Sequence, residues 1–386
     1  MRVIHLDGSV EVVWELDAAL HTMLAGGEAV APLGPGQAVP PGDPGPGQVV
    51  LSTSGSTGQP KWVQLGGAAL SFSAAAAHAR LGGSGRWLLA LPAHHVAGLA
   101  VLVRAALAGI QPVVLDLRSG FDPVAFSALA QRLAGEAGRC YTALVPTQLA
   151  RLLASDPHPL IGFDAVLLGG AAAPGQLLRR ARTAGVHVVS TYGMTETAGG
   201  CVYDGWPLNG VQVRVDSVRV DGTEAETGSV ELAGPMLATG YLDASPETSG
   251  AFHDGWFRTS DLGRLDGQGR LQVLGRADDV IVTGGLNVAP AEVEAVLSGL
   301  PGVAAACVVG LPDPDWGQRI TAVVIPTDPG RPPDPGALRV AARRLLTGAQ
   351  VPKEIVLFDA LPLRGVGKPD RSAVRTMLAA LNPRDS

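Results

Sequence analysis

Residues 49–61 read VVLSTSGSTGQPK. A short β-branched run ends in a segment from Ser52 to Lys61 that holds five hydroxyl residues, two glycines and a terminal cation. Flexible glycines, backbone N–H groups, hydroxyl donors and a lysine are the ingredients of an anion cradle. The familiar phosphate loop GxxxxGK[ST] does not fit. Gly55 and Gly58 are spaced GxxG, Pro60 precedes Lys61, and Trp62 stands where a magnesium-binding hydroxyl would be needed. A polar surface turn is the plain alternative, because Ser, Thr, Gly and Pro also cluster in ordinary loops.

Outward from this loop the chain alternates. The runs RWLLAL (from Arg86), PVVLD (Pro112), YTALV (Tyr141), DAVLLGG (Asp164) and VHVVST (Val186) are separated by Ala/Leu-rich helical windows. This pattern, which includes VVLST from Val49, predicts α/β layering with much of the sheet parallel and buried on both faces. Ligands in such sheets gather beyond the carboxyl ends of strands. On the N-terminal side, residues 32–48 form a Pro/Gly connector that is expected to be neither helix nor central strand. From about Pro207 short alternating runs separated by Gly and Asp turns predict an antiparallel, barrel-like part. After GRADD (275–279) a new unit begins, with strands, the helix PAEVEAVLSGL and a further helix over 337–347. The expected domains are 1–275, large, and 276–386, a small α+β domain.

Composition narrows the function classes. The chain has 386 residues, 46% of them hydrophobic and 17% charged, with a net charge of −6 and no long basic run. That argues for a globular protein and against nucleic acid as partner. Cys140, Cys201 and Cys307 are widely separated, without metal spacing or a disulfide framework, which fits a reducing cytoplasm. The apolar stretch from Trp87 to Ile110 is interrupted by Pro92, His94, His95 and Arg104. It reads as strand, turn and helix, so no membrane insertion is expected.

Three further segments carry chemistry. In YGMTE (192–196), Glu196 is the only acid between Asp164 and Asp204. A carboxylate in so apolar a setting needs a partner, and Mg²⁺ on phosphates would supply one. In the segment from Gly255 to Gly285, Asp261, Arg276 and the Gly284–Gly285 pair stand at strand ends and turns, and a strand-end carboxylate is suited to both hydroxyls of a ribose. Near the C-terminus, Lys368 lies in LPLRGVGKPDR; a solvated loop lysine is the plain reading of that residue alone.

In this order, from about Val49 to Arg371, these blocks resemble the acyl- and aryl-adenylate-forming ligases. The resemblance implies a large α/β domain and a small mobile lid, with ATP, Mg²⁺, CoA and a small carboxylic acid as ligands. It implies that Thr53, Ser54, Gly55, Ser56, Thr57, Gly58 and Lys61 hold the ATP phosphates. Gly169, Gly170 and Ala171 would lie beside adenine, with Tyr192 stacking on it and Gly193 next to nucleotide and acid. Thr195 would face the phosphates and Glu196 the metal. Asp261 (in TSD, where the family usually has TGD) and Arg276 would hold the ribose. Asp278 corresponds to the hinge, Gly284 and Gly285 to the loop lining the pantetheine tunnel, and Lys368 to the catalytic lysine.

Within the superfamily, the compact N-terminal region (a first subdomain reduced to 1–48), LPAHHVAGLAVLVRAALAG, ALVPTQLARLL and LLGGAAAP most resemble the o-succinylbenzoate–CoA ligases of menaquinone biosynthesis. Such a substrate carries two carboxylates, so its pocket needs an apolar wall and a cation or donors for the spare charge. His95 matches the pocket histidine. Arg104, the one cation in its apolar window, is the candidate for the spare carboxylate or, equally, an arginine with a buried stem. Another aryl- or short-acyl-CoA ligase, or an adenylation module that loads a carrier protein, would share the ATP blocks and differ in the pocket. A homodimer is compatible with this reading.

Overall fold

The computed structural model describes residues 1–54, 60–216, 219–220, 223–224, 227–242, 248, 250–364 and 368–381, without the side chains of residues 54, 60, 219–220, 223–224, 364 and 368. Among them, seven strands form a sheet in the order Trp206–Pro207, Gly199–Tyr203, Val188–Met194, Ala165–Leu168, Cys140–Leu144, Arg86–Leu89, Val113–Val114. The last five are mutually parallel, and the first two are added antiparallel. Both faces are covered, and alternate residues of each strand feed opposite cores. Trp87, Leu89, Tyr141 and Leu167 pack into one, and Leu88, Leu144, Val166 and Leu168 into the other. This is the double-sided burial that near-continuous apolar runs imply. The run from Trp87 divides as expected into the strand Arg86–Leu89 and the helix Val96–Ala108.

The loop strand does not join that parallel sheet. Gln48–Ser54 and Pro60–Gly66 form an antiparallel hairpin, with Thr53 opposite Lys61, in a five-stranded sheet with Arg2–His5, Val30–Leu33 and Gly240–Tyr241. An apolar strand run does not distinguish a parallel neighbour from a hairpin partner; here the five-residue return from Ser54 to Pro60 does. Pro32 also departs from expectation, lying in Val30–Leu33 between two other strands. The register explains it. Val30↔Val49 is the single pairing with the third strand, so at Pro32 the strand is an edge on that side and needs no N–H.

As anticipated, the segment after Pro207 is antiparallel: Gln212–Asp216, Gly228–Ala233, Trp256–Leu265, Phe252–His253 and Leu271–Arg276. After the 3₁₀ turn Ala277–Asp279 the chain builds another sheet around the long hairpin Val303–Asp313/Gly317–Pro326, with its own apolar residues Ile281, Val293, Val308 and Val324. The helix Pro290–Leu297 lies where expected, and the next spans Pro335–Ala342 rather than 337–347. Its earlier start follows from Asp334, which caps it by accepting from the Ala337 N–H at 2.7 Å, and from Pro335 at the first position. No helix among the described residues is long and apolar enough to cross a membrane. The three cysteines are free and buried.

Candidate active site

Three sheets meet at one place. The parallel sheet brings Tyr192 at the end of Val188–Met194, followed by the 3₁₀ turn Thr195–Thr197 that carries Glu196. The turn is closed locally, because the Thr197 hydroxyl accepts from the Met194 N–H at 2.9 Å and donates to the Gly199 carbonyl at 2.8 Å. The hairpin that follows requires Gly193, since a side chain there would overlap the Gly199 carbonyl. Gly169 leaves the neighbouring strand in the same way, where a Cβ would lie 2.5 Å from Thr191 Oγ1. Gly170 takes a left-handed φ of 81°, and Ala171 follows it. The loop 169–171 therefore lies at the carboxyl end of Ala165–Leu168, alongside the strand that bears Tyr192.

The antiparallel sheet brings Asp261 and Arg276, which are register partners on adjacent strands. Tyr192 donates to Asp261 Oδ2 at 2.8 Å. Burial first, and then the Asp261 charge, push the Tyr192 phenol well above its usual range, so it stays a protonated donor. The Asp261 backbone is held in turn by its N–H, which donates to Thr259 Oγ1 at 3.0 Å. Arg276 is exposed and pairs with Asp278 at 3.1 Å.

The loop sheet brings Lys61 and Tyr241. The Tyr241 hydroxyl donates to Glu196 Oε1 at 2.9 Å, and the Lys61 ammonium lies 5.0 Å from the Tyr241 ring centre. Burial raises the Glu196 carboxyl above the ordinary glutamate value; the Tyr241 hydrogen bond and the Lys61 and Arg276 charges oppose that rise. Lys61, Tyr192, Glu196, Asp261 and Arg276 are thus brought together as the sequence suggested. Tyr241 was not foreseen. Its one sequence signal is scarcity, as one of only four tyrosines in the chain.

Other expected residues fall around this centre. Thr53 pairs with Lys61 at the mouth of the hairpin and donates to its carbonyl at 3.4 Å. Gly55, Ser56, Thr57 and Gly58 lie outside the described residues, as do the side chains of Ser54 and Lys368. The Lys368 backbone pairs with Arg364 in a short hairpin. Gly284 and Gly285 form the two-residue turn between Ile281–Thr283 and Leu286–Val288, both at positive φ (56° and 79°), as a tight hairpin demands. Asp278 lies within the turn that opens the C-terminal sheet.

The helix Val96–Ala108 begins at His95, whose carbonyl accepts from the Leu99 N–H. Its first turns face the Tyr192–Glu196 hairpin: Ala100 Cβ and Val96 Cγ2 lie 3.5 and 3.9 Å from where a Gly199 side chain would begin. His94 packs against His95 with the rings tilted and their centres 4.3 Å apart, and burial followed by the His95 charge lowers its pKa to about 4. One turn beyond Ala100, Arg104 does not join the site. It is 3% exposed, donates to Tyr203 Oη at 3.2 Å and lies 5.1 Å from the Trp87 ring. The cation foreseen for a spare carboxylate is therefore held in the core by Tyr203 and Trp87.

No cluster of three His, Cys, Asp or Glu side chains able to hold a metal exists among the described residues. One half-buried carboxylate beside a lysine fits a Mg²⁺ that arrives on phosphates, since that ion keeps most of its ligands as water and phosphate oxygen.

Residues 6–242 match the family described as AMP-binding enzyme, and residues 292–368 match the AMP-binding enzyme C-terminal domain. A probable 2-succinylbenzoate–CoA ligase of Mycobacterium tuberculosis is 47% identical over 84% of this chain and 83% of its own length. The solved o-succinylbenzoate CoA synthetase of Bacillus subtilis in complex with its acyl-adenylate intermediate is 31% identical, with a TM-score of 0.74 over 85% of this chain and 68% of that one. A second structure of that synthetase, in complex with ATP and magnesium ion, has a TM-score of 0.73 and 28% identity over 93% and 81% of the two chains. The chain belongs to the AMP-binding enzyme family.

Proposed function

We propose that this member of the AMP-binding enzyme family is an AMP-forming acid–CoA ligase that activates o-succinylbenzoate with ATP and transfers it to CoA, a step of menaquinone biosynthesis. One observation carries the reading of the site: at the end of one parallel strand, Tyr192 is bonded to Asp261 of the antiparallel sheet as a nucleoside seat, and Glu196, four residues on, is bonded as a phosphate-side carboxylate to Tyr241 of the sheet that carries Lys61. The 47% identity to a relative of that name supports the choice of acid.

The chemistry has two halves. The acid's carboxylate attacks the α-phosphorus of ATP, forming acyl-AMP as pyrophosphate leaves. The CoA thiol then attacks the acyl carbonyl, forming the thioester as AMP leaves. In the first half, Tyr192, Asp261 and Arg276 would orient the nucleoside, while the 52–61 loop and Lys61 would hold the β- and γ-phosphates. Thr195 would donate to a phosphate oxygen. Lys368 would meet the negative charge that builds around the α-phosphorus, where a preorganised cation acts without reorganisation at the moment of reaction. His95 would line the acid's end of the pocket. Glu196 would help to hold a Mg²⁺, which when bound supplies charge neutralisation for the phosphates. In the second half, Gly284 and Gly285 would border the incoming thiol after residues from 276 onward turn about Asp278.

The test is ATP–pyrophosphate exchange across a panel of o-succinylbenzoate, benzoate, short and long fatty acids and amino acids. The highest exchange is expected with o-succinylbenzoate. Faster exchange with another acid would replace the substrate, and no exchange with any acid would remove the ligase reading.

A further inference from the structure

We infer that Tyr241 is a positioning residue that sets the direction of the Glu196 carboxylate and seats Lys61 beside it. The inference rests on the reading of Glu196 as the phosphate-side, metal-facing acid. Tyr241 is 8% exposed and belongs to the two-residue strand Gly240–Tyr241. That strand is fastened on two sides. Toward the loop hairpin, Gly240 and Tyr241 register with Gln64 and Val63, the Thr239 N–H donates to the Gln64 carbonyl at 2.9 Å, and the Leu242 N–H to the Trp62 carbonyl at 2.7 Å. Toward the metal-side turn, the Ala238 N–H donates to the Glu196 carbonyl at 2.8 Å. The Tyr241 N–H is itself held by Thr248 Oγ1 at 3.0 Å. One short segment thus joins the strand leaving the phosphate loop to the backbone of Glu196.

The side chain of Tyr241 repeats that link. Its hydroxyl reaches Glu196 Oε1 at 2.9 Å, and its ring face lies 5.0 Å below the Lys61 ammonium. A glutamate has three rotatable bonds, and one donor on Oε1 fixes the plane in which Oε2 presents its lone pairs. The electron-rich ring face attracts the lysine and places it without consuming a hydrogen bond. The ring is itself packed edge-on against Phe252, with centroids 5.8 Å apart. A carboxylate with a preset direction is worth most for a small ion that demands near-octahedral geometry, as Mg²⁺ does.

The experiment titrates the full chain calorimetrically with ATP, once in excess Mg²⁺ and once in EDTA. The variants are Tyr241→Phe, Glu196→Gln and the double variant. Tyr241→Phe keeps the ring over which Lys61 lies and the packing on Phe252, and a thermal melt confirms that it folds. It is expected to weaken binding in Mg²⁺ roughly tenfold, the scale of one hydrogen bond to a charged group, and to leave binding in EDTA within about twofold. The double variant is expected to be no weaker in Mg²⁺ than Glu196→Gln, because Tyr241 acts through that carboxylate. Unchanged Mg²⁺ dependence in Tyr241→Phe, or additive losses in the double variant, overturns the inference. If Glu196→Gln alone leaves the Mg²⁺ dependence intact, the metal-side reading of Glu196 fails first and Tyr241 loses its role with it.

Discussion

Tyr192 and Asp261 are 69 residues apart in the chain and 2.8 Å apart in space, joined by a phenol-to-carboxylate hydrogen bond that ties the parallel sheet to the antiparallel one. The acceptor proposed for the ribose is therefore aimed before any nucleotide arrives, and the aromatic ring beside it is fixed by the same bond.

Asp261→Ala should weaken ATP binding tenfold or more, because two charge-assisted acceptor positions go at once. The KM for the acid should stay within a few-fold. Tyr192→Phe retains the ring and removes only the aiming bond, so its loss should be smaller than that of Asp261→Ala. Equal KM(ATP) values in wild type and Asp261→Ala would remove the ribose assignment.

Arg104 is held by Tyr203 and Trp87 rather than presented beside His95. Arg104→Met should leave the KM for o-succinylbenzoate within about twofold. It leaves the Tyr203 hydroxyl without this partner, and a buried orphan costs about 1–3 kcal/mol in an unfolding titration. A large rise in the KM for the acid with unchanged stability would return Arg104 to the substrate.

His78 provides a pH dependence of stability. It accepts from the Trp87 indole N–H at 3.3 Å, and burial, followed by the Arg104 charge, lowers its pKa to about 4. The folded form therefore resists a proton that the unfolded chain takes up near pH 6.5. Its contribution is complete above pH 6.5 and is lost as the pH falls toward 4, by at most about 3 kcal/mol. Urea midpoints measured from pH 7.5 to 4.5 should fall less steeply for His78→Gln, which still offers the indole an acceptor. Parallel profiles would show that another group dominates.

Lys368→Ala separates the half-reactions. Adenylate formation should slow by about 10²–10³-fold, the scale for losing one transition-state donor. Thioester formation from presynthesised acyl-adenylate and CoA should be nearly untouched. Asp278→Pro, which stiffens the turn, should spare the first half and impair the second. Equal loss of both halves in Lys368→Ala would discard the alternation of the small domain.

The sequence by itself determined the parts whose information is local. Ala165–Leu168 is a buried strand because its apolar run has strand length, and Gly284–Gly285 turns because only glycine takes two positive φ values in succession cheaply. The ordered ATP blocks were legible for the same reason: each packs its chemistry into a few consecutive residues. Tertiary structure alone decided what depends on how sheets meet. The hairpin Gln48–Ser54/Pro60–Gly66 lies outside the parallel sheet, and Pro32 is tolerated because pairing stops at Val30. Arg104 turns into the core because the helix stripe of Val96 and Ala100 carries it toward Tyr203. Glu196 finds Tyr241 across 45 residues because a two-residue strand docks on the loop hairpin. A hydrogen bond needs its partners within about 3 Å and correctly angled, a condition that no periodicity or composition encodes once separate sheets supply the two ends.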